Sequence, residues 1–236
     1  MSGSLRTAFI LVGGLGTRLK SVLPETPKPL APIGQFCFLD YLLQSLECYE
    51  LSNVVLLTGY RAQDFVQYTQ RSKFSFSLKV SEEKNPLGSA GALKLAQPHL
   101  AADRELLVLN GDTYYDGSLE DFFLPAVAGQ NLIGVHHKDP ADRFGLVELS
   151  EDGKVLKFCE KQANSKGFVY SGIARLQTKV LDMIPEGNVS LEQKIFPRLI
   201  GSLNAIKMGG DFYDIGLPES YQEFKDKFGN YNPSSR

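Results

Sequence analysis

The segment Gly13-Gly14-Leu15-Gly16-Thr17-Arg18 puts three glycines and a cation within one short turn. Glycine has no side chain to keep a ligand at a distance and accepts dihedrals that other residues avoid, so backbone N–H groups in such a turn can approach an anion closely. Phosphate is the natural ligand. No Gly-Lys-Ser/Thr follows, so the segment is not a P-loop, and Leu19 stands where a dinucleotide fingerprint needs a third small residue. Taken alone, the turn also fits a tight connection between a strand and a loop. Arg18 adds one cation and Lys28, ten positions later in Pro27-Lys28-Pro29, a second. The flanking prolines restrict the backbone that carries Lys28, which suits a cation held against a charged reacting group; the bland alternative is a pair of solvated surface charges.

These residues need elements to hold them. Ala8 to Val12 is an apolar run that predicts a strand entering the glycine turn, and Phe38 to Glu50 carries Phe38, Leu39, Leu42, Leu43 and Leu46 at helical spacing. Val54 to Thr58 and Phe76 to Ser81 predict strands, with helices expected at Ala62 to Gln70 and Gly91 to Gln97. Glu105 to Leu109 predicts a further buried strand that stops at Asn110-Gly111-Asp112. Alternating strands and helices imply an α/β fold with a largely parallel sheet, and ligands of such sheets sit outside the carboxyl ends of the strands. The glycine turn and Asp112 should therefore share one rim. Beyond Leu132 the pattern changes to short strands at Leu132 to His137, Gly145 to Leu149, Val155 to Glu160 and Gly172 to Leu176, expected as a mixed or antiparallel extension. A helix at Leu191 to Leu199, a strand at Ala205 to Met208 and a terminal helix at Pro218 to Lys227, with Pro218 at its start, complete the reading.

Composition bounds the partners. With 25 basic and 27 acidic residues in 236, no global field favours nucleic acid or an anionic membrane, so any anion must be bound locally. No run approaches the roughly 18 apolar residues that span a bilayer. Cys37, Cys48 and Cys159 form an odd set without metal or disulfide spacing; they are expected as small core hydrophobes in a protein of the reducing cytoplasm. His136 and His137 alternate on one strand, one facing in and one out, and lack a Glu or Cys at ligand spacing. Nothing in the composition divides the chain, which is expected to form one domain over 1–236.

The pair Gly13-Gly14-Leu15-Gly16-Thr17-Arg18-Leu19 and Pro27-Lys28-Pro29-Leu30-Ala31-Pro32 strongly resembles the signature of sugar-1-phosphate nucleotidyltransferases. The resemblance continues through Pro86-Leu87-Gly88-Ser89-Ala90-Gly91, Asn110-Gly111-Asp112, Phe144-Gly145, Glu160-Lys161, Ser171-Gly172 and Tyr213-Asp214-Ile215-Gly216. It implies a Rossmann-like, mainly parallel mixed sheet flanked by helices with a small antiparallel extension. The nucleotide part would lie in about 1–130 and the sugar part, with the terminal helix, in about 131–236. It implies attack of a sugar 1-phosphate oxygen on the α-phosphorus of an NTP, with release of pyrophosphate. Arg18, Lys28 and Asp112 would then be catalytic, Arg18 on the pyrophosphate and Lys28 on the reacting phosphates. Leu11, Gly13, Gly14, Gly16, Thr17, Pro86, Gly88, Ser89 and Gly111 would join Arg18 and Lys28 in binding the nucleotide. Gly145, Glu160, Lys161 and Gly172 would bind the sugar phosphate, and Asp112 and Asp214 a Mg2+ ion. Residue by residue a plainer role stays open: turn or cap for the aspartates, a helix cap for Ser89, strand bulges for Gly145 and Gly172.

Within the family, Leu15 with Leu19-Lys20-Ser21-Val22, the Pro86 to Gly91 loop and the end of the chain soon after Phe212 to Tyr221 resemble the subgroup that transfers a guanylyl group from GTP to D-glycero-α-D-manno-heptose 1-phosphate. Mannose 1-phosphate with GTP, or N-acetylmuramate 1-phosphate with UTP, are the alternatives, and a homologue that only binds nucleotide is the non-enzymatic one. A homodimer is also expected from the family.

Overall fold

Thr7–Leu11 (β1) is apolar on both faces, a pattern that only a strand covered on both sides can satisfy. In the computed structural model it lies inside a seven-stranded sheet. The structure describes residues 5–14, 16–19, 21–100 and 103–233; Leu15 and Lys20, which contribute to the resemblance, lie outside them. After β1 come a two-stranded ribbon, Pro32–Ile33 (β2) and Phe36–Cys37 (β3), and the helix Phe38–Gln44 (α1). Next are Asn53–Thr58 (β4), Ala62–Arg71 (α2), Ser77–Glu82 (β5), Gly88–Leu95 (α3) and Glu105–Asn110 (β6). The second half carries Thr113–Asp116 (β7), Asn131–Lys138 (β8), Val147–Leu149 (β9), Val155–Phe158 (β10) and Gly167–Gln177 (β11). Leu203–Lys207 (β12), Asp211–Asp214 (β13) and Pro218–Phe228 (α4) complete it.

The large sheet runs β12-β8-β11-β6-β1-β4-β5. β1 is parallel to β4 and β6, β4 to β5 and β12 to β8, whereas β11 is antiparallel to both β6 and β8. The expected fold class is therefore met: a mixed, mainly parallel sheet, with antiparallel β9–β10 and β7–β13 ribbons beside it. The period of two along β1 sends Phe9 into one apolar layer, with Leu93 of α3 and Phe196, and Ala8 and Ile10 into the other, with Leu39 of α1 and Phe65 of α2. A third cluster lies under α4.

Several expectations are corrected. The helix expected to reach Glu50 ends at Gln44, where Ser45 Oγ bonds the Leu42 carbonyl at 2.7 Å and the chain breaks into turns. α3 starts at Gly88, not Gly91, and its N-cap is Leu87; Ser89 does not cap it but accepts a hydrogen bond from the Leu191 N–H at 2.8 Å. The helix expected over 191–199 is a π-turn, Leu191–Ile195, followed by a 3-10 turn, Phe196–Leu199. Pro197 explains the break, because it has no N–H to continue a helical ladder. Of the cysteines only Cys37, half-buried at the start of α1, packs against the core; Cys48 is exposed and Cys159 half-buried, in a turn and a loop. His136 and His137 do alternate, half-buried and exposed.

Candidate active site

Two adjoining clefts open at the carboxyl ends of the central strands, where the α/β pattern places ligands. The first, of about 630 Å³, is walled by Leu11, Gly13 and Gly14 after β1 and by Pro86, Gly88 and Ser89 at the head of α3. The second, of about 500 Å³, is walled by Gly16 and Arg18, by Gly145, Lys161 and Gly172, and by Asp214. Lys28, Asn110 and Asp112 belong to both walls. Lys28 Nζ lies 3.2 Å from Asp112 Oδ2, so a cation and a carboxylate stand together at the junction.

Local sequence explains each placement. Lys28 opens a 3-10 turn between Pro27 and Pro29, both buried, so its backbone is fixed from either side. Its stem runs past Gly16, whose φ of +60° and close neighbour leave no room for a side chain: a Cβ there would meet Lys28 Cγ at 3.1 Å. Asp112 follows β6 through Gly111, whose N–H bonds the Leu11 carbonyl at 2.9 Å and whose Cβ, if present, would lie 2.6 Å from Val12 Cγ1. Asp214 ends β13, which pairs with β7 so that Asp214 faces Thr113, and the Ile215 N–H bonds the Asp112 carbonyl at 3.0 Å. The two aspartates, far apart in sequence, are thus held by one short ribbon. Asp214 Oδ1 accepts from Gly216 N–H at 2.7 Å, and its Oδ2 lies 3.0 Å from Arg143.

Most of the expected site residues converge in these walls, but not all. Glu160 is exposed and belongs to neither cleft. Gly111 lines neither and acts by placing Asp112; Thr17 lies in the 3-10 turn Thr17–Leu19 next to Arg18. Arg18 faces the second cleft, not the first. Among the wall residues that escaped the sequence reading are Glu83 and Asn188 in the first cleft and Arg143, Tyr170 and Glu192 in the second. Arg143 precedes the Phe144-Gly145 pair and was legible; the others carry no spacing signal. Burial raises the Glu192 carboxyl pKa, with Asp112 adding to the rise and Lys161 opposing it.

Among the described residues no three His, Cys, Asp or Glu side chains gather to cage a metal. Two carboxylates at a phosphate cleft instead match a hard divalent cation that completes its shell with phosphate oxygens and water. Both carboxylates are paired with protein cations, Asp112 with Lys28 and Asp214 with Arg143.

A glycine turn after the first strand, cations in its lee and carboxylates at the strand ends define a phosphate-handling α/β protein. The chain belongs to the nucleotidyl transferase family, which it matches over residues 7–230. Enzymes of this family typically use a divalent metal. The chain is 33% identical over 221 residues to a D-glycero-alpha-D-manno-heptose 1-phosphate guanylyltransferase of Campylobacter jejuni, covering 92% of this chain and 97% of that one. It is 34% identical to a probable mannose-1-phosphate guanylyltransferase of Arabidopsis thaliana, covering 91% of this chain but 62% of the plant protein. The crystal structure of HddC from Yersinia pseudotuberculosis superposes with a TM-score of 0.85 at 30% identity, over 95% of this chain and all of that one, and HddC has also been solved complexed with GMP-PN. No helix among the described residues is long and apolar enough to cross a membrane.

Proposed function

We propose that the protein transfers a guanylyl group from GTP to D-glycero-α-D-manno-heptose 1-phosphate in a Mg2+-dependent reaction that forms GDP-heptose and releases pyrophosphate. The observation that carries this reading is the junction: Lys28 and Asp112 stand where the two clefts meet, so a triphosphate in one and a sugar phosphate in the other would bring their phosphates together there. A sugar-phosphate oxygen bonds the α-phosphorus as the bond from that phosphorus to the bridging oxygen breaks, and pyrophosphate leaves with the electron pair. Such a transfer needs positioning and charge neutralisation more than covalent help. Lys28 neutralises the reacting phosphates, the glycine turn offers its N–H groups to the triphosphate, and Lys161 holds the sugar phosphate. Arg18, on the wall of the second cleft with Gly16 and Lys28, is the cation assigned to the pyrophosphate leaving group. Asp112 and Asp214 would hold a Mg2+ ion, which would supply further charge neutralisation at the phosphates.

Glu83 supports guanine as the base. Its Oε2 accepts the Leu87 N–H at 3.0 Å, which anchors the carboxylate in the wall of the first cleft with Oε1 beside Gly59. A fixed carboxylate accepts the adjacent N1–H and N2–H donors of guanine, an edge that adenine and uracil lack. The whole chain acts as one nucleotidyltransferase domain, and the free cysteines suit the cytoplasm as its place of work.

Mannose 1-phosphate is a second reading, because relatives at the same level of identity carry that name. Purified protein given each NTP with heptose, mannose or N-acetylmuramate 1-phosphate should release pyrophosphate fastest with GTP and the heptose. A tenfold preference for mannose 1-phosphate, about 1.4 kcal/mol in transition-state binding, would overturn the heptose assignment. No turnover with any pair would leave a nucleotide-binding homologue. Light scattering on the same sample tests the proposed homodimer.

A further inference from the structure

Among the described residues, three buried side-chain atoms have no hydrogen-bond partner in the protein: His136 Nδ1, Ser165 Oγ and the Tyr170 hydroxyl. Of the three residues, only Tyr170 lines a cleft, the second one. A buried hydroxyl that bonds nothing costs free energy, so its persistence asks for a ligand or a use. Tyr170 cannot easily turn elsewhere. It lies on β11 opposite Val135 of β8, inside the large sheet, and its ring stands edge-on to Phe196 with centroids 5.2 Å apart at 82°. Directly after it the register with β8 shifts as the strand bulges through Gly172, whose φ is +78°. Bulges commonly re-aim side chains next to a site.

Glu192 approaches from the opposite element. It sits on the π-turn Leu191–Ile195, a geometry costly enough that it recurs mainly at functional positions. That turn is pinned at both sides: Gln193 N–H bonds Ser190 Oγ at 3.2 Å, and Leu191 N–H bonds Ser89 Oγ at 2.8 Å. Glu192 shares the cleft wall with Tyr170 and Lys161, and its charge is the one that bears on the Tyr170 phenol. Its own carboxyl is held above the ordinary range, chiefly by burial. The cleft wall thus carries a carboxyl group and an unsatisfied O–H, together with the lysine assigned to the sugar phosphate.

We infer that Tyr170 and Glu192 form a hydroxyl-reading pair that sets sugar specificity, the phenol donating to one ring hydroxyl and the Glu192 carboxylate accepting from another. This rests on the sugar-phosphate reading of the second cleft. A polyhydroxylated ring satisfies both groups at once, whereas a sugar lacking the hydroxyl that Tyr170 reads leaves the phenol buried and unpaired. Discrimination by such a site is strong because the penalty falls on the wrong ligand.

The test compares wild type with Tyr170→Phe and Glu192→Gln, measuring pyrophosphate release with GTP and sugar 1-phosphate varied in turn, alongside thermal unfolding. Tyr170→Phe removes an unsatisfied hydroxyl and keeps the ring, so its Tm should equal or exceed that of wild type. Its kcat/KM for the sugar phosphate should fall about 10- to 100-fold while KM for GTP stays within about twofold. In a series of monodeoxy sugar 1-phosphates, one member should be turned over equally well by wild type and Tyr170→Phe, because the hydroxyl that the phenol reads is already gone. Unchanged sugar kinetics in both variants would sink the inference while the wild-type activity left the parent reading standing. Equal losses for both substrates with a lowered Tm would make the pair structural and also sink it. A wild type that releases no pyrophosphate from any sugar phosphate would remove the parent reading and this one together.

Discussion

An ammonium group and a carboxylate 3.2 Å apart, as in Lys28 and Asp112, hold one another only until something more highly charged arrives. The same is true of Arg143 and Asp214 at 3.0 Å. Both pairs are partly exposed, so each is a modest attraction that phosphate and a divalent ion can replace. Asp112→Asn should therefore lower kcat by about 100- to 1000-fold with little change in Tm, and it should weaken Mn2+ binding followed by electron paramagnetic resonance. An Asp112→Asn enzyme as active as wild type would contradict the metal role. Chelation should abolish pyrophosphate release, and Mg2+ should restore it. At this scale, residues whose chemistry depends on local spacing were legible: Arg18 closes a glycine turn and Lys28 sits between prolines. Tyr170 and Glu192 were not, since a tyrosine on a strand and a glutamate after a leucine signal nothing until β11 and the π-turn place them in one wall. Glu160, expected at the site because the family resemblance sets it against sugar hydroxyls, is exposed and lines neither cleft.

The elements act by fixing where those side chains point. Gly111 passes so close to Leu11 and Val12 that Gly111→Ala must displace the turn that delivers Asp112. The variant should lose about 1–3 kcal/mol of stability in urea titrations, and its activity should fall further than that loss explains, because the carboxylate moves. β8 and β13 are joined by His136, which stacks on Phe212 with centroids 5.7 Å apart. Burial lowers the His136 pKa below its ordinary 6.5, with Lys138 and His137 acting in the same sense and Asp211 against them. The folded protein thus prefers the neutral ring, while the unfolded chain protonates at the ordinary value. The stability tied to this group is complete above about pH 6.5 and is lost as pH falls below it. Tm measured between pH 7.5 and 5 should decline with a slope that His136→Phe reduces; an unchanged slope would count against the assignment. Sequence periodicity found β1, β4 and β6 because each is largely a continuous apolar run, and β5 because Phe76, Leu78 and Val80 alternate with polar residues. It missed β7 and β13, whose Tyr114, Tyr115, Phe212 and Tyr213 pack at the sheet's edge without alternation, and it saw only half of β11, where glycine and tyrosine interrupt the apolar pattern.

Across the whole molecule, the site is held in place by an element that lines neither of its two clefts. α4 drives Tyr221, Phe224 and Phe228 into an apolar cluster with Phe38 and Tyr41 of α1, Tyr114 of β7 and Tyr213 of β13. Phe224 lies at its centre, with ring centroids 4.9 Å from Phe38, 5.4 Å from Tyr114 and 5.5 Å from Tyr213. Tyr41 secures the helix end by donating to the Phe228 carbonyl at 2.8 Å. Tyr114 and Tyr213 follow Asp112 by two residues and precede Asp214 by one, so this cluster clamps the ribbon that carries both carboxylates. Phe224→Ala should cost about 3–5 kcal/mol in denaturant unfolding, as the loss of a central buried ring does elsewhere. A loosened clamp frees both aspartates before the seven-stranded sheet itself gives way, because the sheet has its own two apolar layers. On heating, Phe224→Ala should accordingly lose Mn2+ binding and pyrophosphate release several degrees below its far-ultraviolet unfolding midpoint, whereas wild type should lose all three together. Coincident loss in the variant would mean that α4 and the sheet unfold as one cooperative unit and that the helix serves stability alone.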